Sequence, residues 1–130
     1  MIMREITVLT DLALITCIVQ RGLGDDIVKA AQEAGAQGAT VTFARGTGVR
    51  ERMGVLGVAT EAEKEVLNIL VASDQVDRVF ERMYIAGKLD TPGMGLIYVS
   101  PVEKAATYIP HDIVEKLSKQ SATPPNNVAS

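Results

Sequence analysis

Few side chains in this 130-residue chain are suited to chemistry, and they are unevenly spread. Residues 40–48, TVTFARGTG, run strand-like positions into a glycine-bracketed turn, with Arg45 at its mouth. Gly46 and Gly48 can take φ > 0, so successive backbone N–H groups around Thr47 can curl about one anion with no Cβ in the way. Arg50 and Arg52 follow, and arginines gathered between Arg45 and Arg52 suit one phosphate better than a nucleic-acid backbone. The chemistry offered is anion binding, not bond breaking. One His (His111), one Cys (Cys17) and no close acidic cluster leave little for a metal site or a nucleophile–base pair. A bare G-x-G is also an ordinary turn, and Arg50 and Arg52 flanking Glu51 equally describe a solvated loop.

The elements that must position this turn follow from the hydropathy pattern. Residues 1–10 are ambiguous between an extra edge strand and a frayed end. ALITCIV, 13–19, is apolar at nearly every position and reads as a strand covered on both faces. Gly22 and Gly24 mark a turn, and Asp25 and Asp26 open a helix whose stripe is Ile27, Ala30, Ala31 and Ala34, ended by Gly35. Residues 40–44 form the second strand, and 49–60 keep neither period, which predicts an exposed, mobile loop. EVLNILV, 65–71, is the third strand. Ser73 is the expected N-cap of a second helix with the stripe Val76, Val79, Phe80 and Met83, ended by Gly87. Residues 88–95 form a loop, 96–99 a fourth strand stopped by Pro101, and 110–119 a short helix with Ile113, Val114 and Leu117 on one face. The polar, Pro-containing stretch 120–130 predicts disorder. The order β-α-β-β-α-β predicts an α+β, ferredoxin-like split βαβ sandwich, a plan that by itself carries no function.

Composition bounds the rest. Apolar residues make up 47% and charged ones 22%, which suits a single globular domain with a real core. A net charge of −3 without a basic run argues against nucleic acid. Asp11 interrupts the apolar run 9–19, and no run reaches the ~18 residues of a spanning helix. With Cys17 alone in an apolar run, the chain reads as cytoplasmic, its thiol structural.

With these stretches in order (LITCIV, GATVT, ARGTG, LVASDQVDRV and IYVSPVE), the chain resembles the PII signal-transduction family over residues 13–109. The resemblance implies a homotrimer that binds adenine nucleotide in clefts between subunits, with a long loop that docks on enzymes, transporters or transcription factors in nitrogen or carbon metabolism. It makes residues 1–112 the PII-like domain, with the signalling loop at about 46–62, and 113–130 a short helix and tail. Carried over, Ile18 becomes a floor for the adenine ring, and Thr40, Gly46 and Leu70 become cleft positions. Gly46, Thr47 and Gly48 become phosphate donors that begin the loop. Gly93 and Gly95, with Met94 between them, match the family's phosphate-binding glycines, though beside Pro92 they also describe a tight turn.

The departures narrow the ligand. Where the family has lysine after its second glycine this chain has Leu96, and where it has two arginines near the C-terminus stand Thr107 and Ile109. Charge-assisted contacts are worth roughly 1.5–3 kcal/mol each, so losing them removes orders of magnitude in ATP affinity. Arg45, Arg50, Arg52 and Lys88 can replace part of that charge, although Lys88 equally complements a helix C-terminus. The expected effector is therefore ADP, AMP or a cyclic nucleotide rather than ATP, with no metal required. The loop is about five residues shorter than the family's and holds no Tyr or Ser between Gly46 and Glu65, so covalent modification there is not expected. Its apolar residues Met53, Val55, Leu56 and Val58, with Arg50 and Arg52, form the expected partner-binding surface, a membrane transporter being one candidate. One alternative stands beside this reading, a ligand-independent trimeric adaptor; an enzyme is not expected, since acylphosphatase-type catalysis would need an Asn positioning water beside Arg45, and Asn68 lies mid-strand.

Overall fold

The computed structural model describes residues 7–46, 62–110 and 112–113. The chain divides into two compact units, Ala13–Ser100 and Met1–Leu12 with Pro101–Ser130. Across both, β1 is Val8–Leu9, β2 Leu12–Gln20, α1 Gly24–Glu33, β3 Thr40–Gly46 and β4 Ala62–Ala72. A 3-10 turn, Ser73–Gln75, leads into α2, Val76–Ala86, followed by β5, Gly95–Val102, and β6, Ala105–Ala106. Four strands form one sheet in the order β3-β4-β2-β5, and β1 pairs antiparallel with β6 in a two-stranded ribbon.

The sheet's covered face follows from alternation. On β2, Ala13, Ile15, Cys17 and Val19 are buried; on β4, Leu67, Ile69 and Val71 are. They pack with Ile27 and Ala31 of α1 and with Val79 and Met83 of α2 in one core, and the two helices pack on each other. The predicted helical stripes are the buried ones because residues at 3.6-residue spacing share a face. Burying each large side chain contributes about 1.5–3 kcal/mol, and Ile15, Ile27, Leu67 and Met83 are fully buried.

The structure departs from expectation at Ser73 and at Pro101. Ser73 makes no side-chain cap; Ala72, extended at ψ 147°, leads into a tight turn in which the Val76 N–H donates to the Ser73 carbonyl. A 3-10 start satisfies through i→i+3 bonds a donor that a serine cap would have taken. Pro101 does not stop the last strand, which runs on to Val102. It is tolerated because β5 is an edge strand, where a missing N–H need cost no ladder bond. Of the expected helix 110–119, residues 112 and 113 are helical and the remainder lies outside the described residues.

Candidate functional site

Two surfaces of the sheet hold the candidate residues, and register decides which residue belongs to which. β3 and β4 pair antiparallel through seven rungs, from Thr40↔Asn68 to Gly46↔Ala62. Cross-strand partners share a face. Val41 opposite Leu67 and Arg45 opposite Glu63 therefore lie on the side of the helices, while Thr40, Thr42 and Ala44 lie on the open side with Asn68, Val66 and Lys64. Ile18 and Leu70, which alternate with buried neighbours, also belong to the open side.

The open side has its own polar centre. The Thr16 hydroxyl, only 5% exposed, donates to Asn68 Oδ1 at 2.8 Å. The Arg21 N–H donates to the Glu63 carbonyl at 3.3 Å. Positions 16 to 21 against 68 to 63 run in opposite directions, so β2 and β4 are antiparallel as well. Around this polar pair Ile18 and Val66 are half-buried, while Leu70, Leu96 and Tyr98 remain exposed.

The glycine loop meets the same side. The turn after α2 is closed by the Thr91 N–H on the Lys88 carbonyl at 2.9 Å and the Met94 N–H on the Thr91 carbonyl at 3.2 Å. Gln20 Nε2 donates to the Gly93 carbonyl at 3.3 Å, tying this turn to the end of β2. Gly95 holds φ 150°, and a Cβ there would overlap the Ile18 carbonyl and stand 2.9 Å from Val19 Cγ1. No other residue allows that approach. Leu96 follows it, 59% exposed.

Of the residues expected at the site, Ile18, Thr40 and Leu70 share the open face, and the turn 93–95 abuts Ile18. Arg45 is on the opposite face. Gly46 closes the last rung of the hairpin with Ala62. Lys88 is exposed at the end of α2, with its own backbone left-handed at φ 51°. Thr47, Gly48, Arg50, Arg52, Met53, Val55 and Leu56 lie outside the described residues. The register also removes the enzyme alternative, since Arg45 and Asn68 point to opposite faces and cannot flank one phosphate.

A second cluster sits where the hairpin ends, on the helix side. Arg21 pairs with Glu63, and its guanidinium lies 5.8 Å from the centroid of the Phe43 ring. Two rungs inward, Glu65 is 7% exposed, and its carboxylate accepts the Gly22 N–H at 2.6 Å. An open cavity of about 240 Å³ is lined by Arg21, Phe43, Ala44, Arg45 and Glu63. None of Gln20, Arg21, Phe43 and Glu63 was legible as a site residue, because their contacts join positions 22–73 residues apart. At the centre of the core, burial pushes the Cys17 thiol from 9.0 up to about 11, so it is an inert core group.

A four-stranded antiparallel sheet with two helices on one face is the ferredoxin-like plan. The sequence profile of the nitrogen regulatory protein P-II family matches residues 12–111, and the chain belongs to that family. A Nitrogen regulatory protein P-II from Cereibacter sphaeroides is 33% identical over 86 residues, covering 62% of this chain and 77% of its own. Among solved structures, Arabidopsis thaliana PII bound to citrate aligns with TM-score 0.58 at 24% identity, over 72% of this chain and 79% of that one. The B. subtilis GlnK–ATP complex aligns with the same score at 19% identity, over 70% and 81%. At these identities the two structures support the fold.

Proposed function

We propose that this signal-transduction protein is a cytoplasmic homotrimer that binds an adenine nucleotide between subunits, with ADP, AMP or a cyclic nucleotide preferred over ATP. The nucleotide reports occupancy to a partner protein through the loop at about 46–62. The observation that carries the reading is the Gly93–Gly95 turn against Ile18. It brings bare backbone against the carbonyl of Ile18, whose half-buried side chain is on the face that also bears Thr40 and Leu70. That combination serves a flat base and an adjacent anion. The B. subtilis relative was solved as an ATP complex, and Leu96, exposed where the family carries lysine, supports a ligand of lower charge. A nucleotide that prefers one loop conformation need supply only about 1–3 kcal/mol of coupling to switch a partner.

The uncharged Leu96 side chain also favours a second reading, a ligand-independent adaptor acting on a membrane transporter. A thermal-shift panel of ATP, ADP, AMP, cyclic AMP and cyclic di-AMP on nucleotide-stripped protein separates the two. A ligand at about 100 times its Kd adds roughly 2.7 kcal/mol, so the sensor shows a raised midpoint with at least one nucleotide and the adaptor with none. Gly46→Val is expected to abolish the shift and leave the oligomeric mass unchanged; an unaltered shift would remove Gly46 from the site.

A further inference from the structure

We infer that the segment 20–22 is a connector that passes the state of the glycine turn 93–95 to the far end of the β3–β4 hairpin, with Gln20 and Arg21 as its positioning side chains. The segment lies where β2 ends, and successive side chains there point to opposite faces of the sheet. Gln20 falls on the open side, and its Nε2 donates to the Gly93 carbonyl at 3.3 Å. Arg21, one residue on, reaches the helix side and pairs with Glu63. The turn therefore holds this strand end through one residue and the hairpin holds it through the next.

On the hairpin side the grip is multiple. Besides the ion pair, the Arg21 N–H donates to the Glu63 carbonyl and the Gly22 N–H to the Glu65 carboxylate. Glu65 is buried, and its carboxylate lies so close to Gly24 that a Cβ there would overlap it. The Arg21 guanidinium, near the Phe43 ring, reaches across β4 to β3 and so touches both hairpin strands. The Leu23 N–H closes on the Gln20 carbonyl at 3.3 Å, which makes 20–23 a turn that moves as one piece. Glu63 opposes Arg45, and the last rung, Gly46↔Ala62, lies directly beyond.

On the turn side the side-chain grip is a single neutral hydrogen bond, which can be made or broken without opening the core. The Gly93 carbonyl shares its peptide unit with the Met94 N–H, itself donated to the Thr91 carbonyl. Linked hydrogen bonds polarise one another, so a ligand that orders this turn strengthens the bond from Gln20 as well. An occupied turn thus holds 20–23, and with it the hairpin end, more firmly than an empty one. The inference rests on the nucleotide reading only for what occupies the turn. Every contact of the connector lies within one chain and needs no exposed surface.

The test uses the full-length protein and reads hydrogen exchange at the amides of residues 44–46 and 62–65. Gly93→Ala strains the turn at φ 82° while its methyl meets open space. In ligand-free protein it is expected to speed exchange at the hairpin end by about fivefold or more. In a Gln20→Leu or an Arg21→Ala background it should add no further change. The charge-swapped pair Arg21→Glu with Glu63→Arg should restore the response, which a general loosening of the fold would not. ADP should slow exchange at the same amides in the unaltered protein, and Gln20→Leu should bind ADP without that slowing. The inference is overturned if Gly93→Ala leaves the hairpin end unchanged, or speeds it equally in the Gln20→Leu and Arg21→Ala backgrounds. ADP that binds to the unaltered protein and leaves the hairpin end unslowed overturns it too. Absence of ADP binding by calorimetry would count against the nucleotide reading alone, and the Gly93→Ala comparison would still decide the connector.

Discussion

The two faces of the sheet are made from alternate residues of the same strands, yet they behave differently. Towards the helices, Ile15, Cys17, Val19, Leu67 and Ile69 are sealed in a core with Ile27, Val79 and Met83. Away from them, Ile18, Val66, Leu70, Leu96 and Tyr98 surround one hydrogen-bonded polar pair and stay partly or largely open. A strand paired on both sides cannot move one face without the other, because the side-chain period is two. The first face therefore sets stability, and the second is the one proposed to recognise a ligand.

Truncation on the two faces should separate these roles. The largest expected effect is on the covered side, where Met83→Ala opens a cavity in a fully buried position and should cost about 2–5 kcal/mol. Urea melts measure it, and a loss below about 1 kcal/mol would mean the core is not closed there. On the open side, Leu96→Lys restores the missing cation at an exposed position. It should tighten ATP by roughly tenfold or more, read by titration calorimetry, with little change in melting.

A smaller effect comes from Cys17. Its folded-state pKa is raised by burial from 9.0 to about 11, so the native thiol stays protonated where the unfolded chain ionises. Its contribution to stability is thus complete below pH 9.0 and declines between pH 9.0 and about 11. Cys17→Ala should flatten that alkaline decline in melts taken on either side of the window, and an unchanged slope would assign it to other groups. Smallest of all, Arg21→Ala removes an ion pair whose side chains are 64% and 53% exposed. Screening by solvent limits the loss to about 1 kcal/mol or less.

Much of the covered face was legible in the sequence. ALITCIV reads as a strand and Ile27, Ala31, Val79 and Met83 as helical stripes because hydropathy at period two or 3.6 is local information. Edge status is not local, which is why Pro101 looked like a stop and became part of β5. Parity alone puts Arg45 and Thr40 on opposite faces of TVTFARG, but which of them faces the helices needed the register against β4. Gln20 reaching Gly93 across 73 positions has no sequence signal at all.

The central claim is that this site, short of cations at position 96, takes an adenine nucleotide of low charge. Titration calorimetry of ATP, ADP and AMP against nucleotide-stripped protein tests it most directly. Saturable binding is expected, with ADP or AMP at least as tight as ATP. ATP binding far more tightly than both would contradict it, and would mean that cations outside the described residues make good the charge that Leu96 does not supply.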